Sequence, residues 1–106
     1  MVTGGSSGIG KALVDEALIS GARVAVCARN LDKLKGMFTP SDNLLCLQAD
    51  VSKEDDCRHF IEAVTAAWGG LDVLINNAGI SMRALFADVN LSVLRELMDI
   101  NFWGAV

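Results

Sequence analysis

The chain has 106 residues, which bounds it to a single domain, and with 52% apolar residues and ten Gly it has the composition of a packed α/β core. Net charge is −4 and the nine Lys and Arg are scattered, so there is neither the basic stripe of a nucleic-acid binder nor a patch for a membrane surface. No uncharged apolar run approaches the roughly 18 residues of a spanning helix, and "MVTGGSSG" lacks the basic-then-apolar order of a signal peptide.

In chain order, "MVT" reads as a short first strand and "GGSSGIG" as a glycine loop. From Ile9 to Ser20 the pattern is helical, with Ile9, Leu13 and Ala17 on the expected inner stripe and Gly21 as terminator. "RVAVCA" is a second strand, Asn30 caps a short helix running toward Gly36, and Pro40, Ser41 and Asp42 mark a turn. "LLCLQA" is a third strand, and Ser52 with Asp55 suggests a capping box for the next helix. That helix carries Cys57, Phe60, Ile61, Val64 and Trp68 on one face and ends at Gly69-Gly70. "DVLIN" is a fourth strand, "NAGISM" a loop, and Asn90 opens a last helix expected to reach Val106.

The strands are continuous apolar runs without polar alternation, as parallel strands covered on both faces must be. The alternation therefore predicts an α/β, doubly wound parallel sheet of Rossmann type with strand order 3-2-1-4, one domain over 1–106. Cys27, Cys46 and Cys57 form no metal spacing with the single His59, so no metal is expected and reduced thiols in a cytoplasmic protein are the reading.

"TGGSSGIG" sits between a strand and a helix, where a phosphate cradle belongs. Gly4 permits a tight turn, Gly8 a close ligand approach and Gly10 close helix–strand packing. Free N–H groups at the helix start, with its dipole, favour a diphosphate. The spacing matches neither G-x-G-x-x-G nor a Walker loop, since Ala12 follows Lys11. At the end of the second strand Ala28 leaves no carboxylate for a ribose 2′-hydroxyl, and Arg29 offers a guanidinium that can bind a 2′-phosphate. NADP is thereby favoured over NAD.

"TGGSSGIG", taken with "NNAG" at Asn76 to Gly79, resembles the short-chain dehydrogenase/reductase family, whose pattern is T-G-x-x-x-G-x-G followed by N-N-A-G. The Asp50-Val51 pair after the third strand and the Asn within the last helix match as well, so the resemblance spans essentially the whole chain. It implies that Gly4, Ser6, Ser7, Gly8 and Ile9 line the pyrophosphate and adenosine ribose, that Arg29 meets the 2′-phosphate, and that Asp50 and Val51 flank the adenine. Asn77, Ala78 and Gly79 are implied beside the nicotinamide ribose, while Thr3 and Asn76 are read as structural ties.

On the last helix, at ~100° per residue, Asn101 projects opposite Ser92 among Leu94, Met98 and Ala105, so a buried amide with defined partners is expected. Bonding to neighbouring backbone would suffice. The resemblance adds a catalytic role, in which the matching Asn orders a water of the proton relay. The helix is apolar on more than one face, which implies a further partner surface, and the family's use of it in dimer contacts suggests a homo-oligomer.

The family's chemistry rests on a Tyr-x-x-x-Lys pair, and this chain has no Tyr. The expectation is therefore a truncated, cofactor-binding front half of an NADP-dependent oxidoreductase acting on an alcohol or carbonyl, inactive alone. A non-catalytic dinucleotide-binding module, or a structural protein pairing through its last helix, are the alternatives.

Overall fold

The computed structural model describes all 106 residues. The chain runs β1 (Val2–Thr3), α1 (Gly8–Ile19), β2 (Val24–Ala28), α2 (Leu31–Gly36), β3 (Leu44–Gln48) and α3 (Glu54–Trp68). A 3₁₀ turn (Phe86–Asp88), α4 (Leu91–Met98) and a π-helical turn (Asp99–Trp103) complete it.

All five residues of β2 are buried, because alternate side chains point to opposite faces and both faces are covered. Val24, Val26 and Ala28 join Val2, Val14 and Leu34 beneath α1 and α2. Ala25 and Cys27 join Ala49, Phe60 and Val64 beneath α3. The result is a Rossmann-like α/β layer structure around a parallel sheet ordered β3-β2-β1, in register Val26↔Val2 and Val26↔Cys46.

The expected fourth strand is reduced to one parallel bridge, Val2↔Ile75, on the free side of β1. Ile75 N–H donates to the Met1 carbonyl at 2.8 Å and Thr3 N–H to the Ile75 carbonyl at 3.1 Å. Its place therefore matches the 3-2-1-4 order, but a β1 of two residues offers too little ladder for more.

Local signals worked where the chemistry was unshared. Asn30 Oδ1 accepts from Lys33 N–H at 2.9 Å and Asn90 Oδ1 from Ser92 N–H at 2.9 Å, each capping its helix. Gly21 and Gly69 end α1 and α3 at φ +82° and +83°. The capping box does not form. Ser52 gives its N–H and Oγ to Asp50 Oδ1, at 3.0 and 2.7 Å, and α3 begins at Glu54 with Lys53 at the N-cap. A charged acceptor two residues away outcompetes the capping site for the hydroxyl. The inner stripe of α1 is also shifted by one residue: Gly10 and Val14 are buried, whereas Ile9 is 74% exposed. Gly10 must pack against the Gly4 carbonyl, and that contact sets the rotation of the helix.

The last helix is helical to Trp103, not Val106. Gly104 N–H donates to the Asp99 carbonyl at 2.9 Å, a five-residue step that inserts one extra residue into the turn.

Candidate functional site

The glycine loop is fixed by backbone first. Gly4 and Gly5 N–H both donate to the Cys27 carbonyl of β2, at 3.0 and 3.2 Å. Gly4 sits at φ +70°, and a Cβ there would lie 2.7 Å from the Ala78 Cα, so only glycine fits. Gly10, one turn into α1, has its Cβ direction filled by the Gly4 carbonyl and the Asn77 amide. These contacts bring the start of α1 over the carboxyl ends of the strands.

That start is left open. Ser7, at the N-cap, makes no side-chain capping bond, and the first turn holds no acidic residue. By contrast α2 and α4 are capped by Asn30 and Asn90, and α3 has Glu54, Asp55 and Asp56 in its first turn. Helix α1 alone combines an N-terminus without a side-chain cap and a first turn without an acid, so its orphan N–H groups and the positive end of its dipole are left unneutralised.

Those groups border a cleft of about 470 Å³. Gly4, Ser6, Ser7, Gly8 and Ile9 line one side. Arg29 comes from the end of β2, Asp50 and Val51 from the turn after β3, and Asn77, Ala78 and Gly79 from the segment after Ile75. All eleven residues expected to bind the cofactor thus converge on one wall system. Ala28, read from the sequence as a strand end without a carboxylate, lines the cleft too, and sequence reasoning missed Cys27 and Ala49, small residues at the strand ends that lead to Arg29 and Asp50. The carboxyl-edge rule could have found them. It also missed Ile80 and Ile100, which no local pattern marks.

Charge is asymmetric across the cleft. The Arg29 side chain is exposed and in neither of the two ion pairs, Lys11–Asp15 and Arg58–Glu54. Burial pushes the Asp50 carboxyl up, but the two Ser52 bonds and the Arg29 and Lys53 charges outweigh it and hold it below its ordinary value. Burial pushes the Cys27 thiol up to about 11, so it lies on the floor as a neutral, inert group. No three His, Cys, Asp or Glu side chains cluster as metal ligands, and no helix is long and apolar enough to cross a membrane.

The structural tie assigned to Asn76 belongs to its neighbour. Thr3 Oγ1 accepts from the N–H groups of Asn77 and Ala78 at 3.1 and 3.0 Å, and Asn77 Nδ2 donates to the Thr3 and Gly4 carbonyls at 3.0 and 3.1 Å. Asn76 instead donates to the Ala105 carbonyl at 3.3 Å. Asn77 both closes the clasp and lines the cleft.

Asn101 is exposed, not buried among Leu94, Met98 and Ala105, because that face is itself left uncovered, with Met98 and Ala105 also exposed. Its amide does have defined partners: Oδ1 accepts from Ile80 N–H and Nδ2 donates to the Ile80 carbonyl. Asn101 thus reaches the cleft through Ile80. At the end of the π-helical turn, Gly104 packs so closely that a Cβ would lie 2.8 Å from Val51 Cγ2.

With this geometry in hand, comparison with known proteins is specific. A family profile described as short chain dehydrogenase matches residues 1–106. The 11-beta-hydroxysteroid dehydrogenase 1A of Arabidopsis thaliana is 37% identical over 100% of this chain and 32% of its own length. The 3-ketodihydrosphingosine reductase of Bos taurus is 36% identical over 100% of this chain and 35% of its own. Among solved structures, the 3-ketoacyl-(acyl-carrier-protein) reductase from Brucella melitensis complexed with NADH superposes with TM-score 0.92 at 28% identity, covering 97% of this chain and 43% of that one. This chain spans about a third of the curated relatives it matches.

Proposed function

The chain belongs to the short-chain dehydrogenase family, and from that premise we propose that it is the dinucleotide-binding portion of an oxidoreductase moving hydride between NADP(H) and an alcohol or carbonyl substrate. The observation that carries this reading is the uncapped, acid-free start of α1 on a cleft that also holds the unpaired Arg29. A dinucleotide has the matching polarity: a diphosphate for the helix N-terminus and, in NADP, a 2′-phosphate for a guanidinium. The space beside Gly8, where a Cβ would meet nothing within 4 Å, leaves room for such a ligand against the backbone.

When bound, the nicotinamide supplies or accepts the hydride. This chain's residues then divide the work. Ser6, Ser7, Gly8 and Ile9 would hold the diphosphate and ribose, Arg29 the 2′-phosphate, and Asp50 and Val51 the adenine. Asp50 Oδ1 is taken by Ser52, which leaves Oδ2 to accept from an exocyclic amine. Asn77, Ala78 and Gly79 would border the nicotinamide ribose. Asn101 holds Ile80 there and keeps acceptor capacity on Oδ1 for a water of a proton relay.

We place the protein in a reducing compartment such as the cytoplasm, because Cys27, Cys46 and Cys57 are all unpaired thiols. The exposed Met98, Phe102 and Trp103 support pairing of copies through the last helix. With no Tyr in the sequence, the 106-residue chain by itself should bind coenzyme without turnover.

Fluorescence titration with NADPH and NADH tests the reading. NADPH should bind tighter, and Arg29→Ala should weaken it about tenfold while sparing NADH. Equal affinities, or tighter NADH, would remove the NADP assignment.

A further inference from the structure

We propose that Gln48 is a positioning residue for Arg29 and, through it, a determinant of the choice between NADPH and NADH. This rests on the reading of Arg29 given above.

Gln48 is the last residue of β3 and pairs with Ala28 in the final rung of the parallel ladder. Past that rung, Ala49 N–H still reaches the Ala28 carbonyl at 3.1 Å, and then the two chains separate. The Gln48 side chain extends the pairing by one step. Its Nε2 donates to the Arg29 carbonyl at 3.0 Å, joining positions 19 apart in sequence. On the other side of Arg29, Asn30 is held by its capping bond to Lys33 N–H, and its carbonyl accepts from Leu34 N–H at 3.1 Å.

The backbone of Arg29 is thus anchored on both sides, while its guanidinium stays out of both ion pairs. A long cationic side chain on a loose backbone loses more freedom when it binds an anion than the same side chain on a fixed one. Gln48 does not itself line the cleft, and its side chain makes no other hydrogen bond. Its effect on a ligand must therefore pass through Arg29. Only a coenzyme carrying a 2′-phosphate should register it.

Gln48→Met keeps the length of the side chain and removes the donor. In titrations of the 106-residue chain, NADPH and the fragment 2′,5′-ADP should weaken roughly three- to tenfold, with NADH and 5′-AMP changed less than about twofold. In an Arg29→Ala background the same substitution should add nothing. Equal weakening of both coenzymes would overturn the role, as would an undiminished NADPH loss in the Arg29→Ala background. A global loss of fold would appear in that first pattern and in circular dichroism. If the unsubstituted chain prefers NADPH and Gln48→Met leaves the preference intact, only the role of Gln48 fails. If it binds neither coenzyme, the coenzyme reading fails and this role with it.

Discussion

Asn101 grips both backbone groups of Ile80: its Oδ1 accepts the Ile80 N–H at 2.9 Å, and its Nδ2 donates to the Ile80 carbonyl at 2.8 Å. The two residues lie 21 positions apart and belong to different segments, a helical turn and an irregular loop. Ile80 otherwise follows Gly79 with no strand or helix to hold it. One amide thus fixes the loop wall of the cleft.

Replacing that amide separates its two bonds. Asn101→Ala should cost about 1–2 kcal/mol in urea unfolding, since both bonds are partly solvated and water replaces them in part. The Ile80 amide should lose its protection against hydrogen exchange. Asn101→Asp keeps an acceptor for Ile80 N–H but cannot donate, so its Ile80 amide should stay protected while stability falls. Unchanged exchange at Ile80 in Asn101→Ala would show that the loop is held by something else.

Gly4 and Gly8 share a left-handed backbone, at φ +70° and +53°, but differ in their surroundings. Gly8→Ala should cost only the conformational term, about 1 kcal/mol, because no atom lies within 4 Å of its Cβ position. Gly4→Ala adds a collision with the Ala78 backbone at 2.7 Å and should cost at least about 2 kcal/mol more. Thermal unfolding of the two variants gives the comparison, and equal losses would contradict the contact.

The Asp50 carboxyl has its folded value below the ordinary 3.8, since the Ser52 bonds and the Arg29 and Lys53 charges outweigh burial. A carboxyl depressed in the folded state contributes stability above its unfolded value and loses it as pH falls through the folded one. The stability advantage of the native chain over Asp50→Asn should therefore be steady near neutrality and shrink below about pH 4. Ser52→Ala should move that loss to higher pH. Denaturant midpoints measured from about pH 7 to about pH 2 give the profile, and a pH-independent difference would refute the linkage.

That eleven expected residues would line one cleft was legible because motif spacing fixes which residues follow each strand, and a parallel sheet gathers those ends at one edge. The fourth strand was legible in place but not in extent, since its pairing depends on β1 and β1 is short. Which of Asn76 and Asn77 ties the clasp depended on register: adjacent residues after a strand point to opposite sides, and composition cannot choose between them. The Ser52–Asp55 box failed because the competing acceptor, Asp50, lay just outside the pattern. The expected burial of Asn101 failed because an apolar helix face was assumed to be covered, and Met98 and Ala105 on that face are exposed too.

The five-residue step from Asp99 to Gly104 has a consequence for length variation. The turn holds one residue more than an α-helix needs, so deleting one residue there would still leave a well-bonded helix. Five residues around this turn cover about the angle that four cover in an α-helix, so everything beyond the deletion would keep its phase. Asn76 would then keep the Ala105 carbonyl, and Gly104 its place against Val51. A codon loss within this turn spares both contacts, whereas one in the regular helix before it would swing them by about 100°.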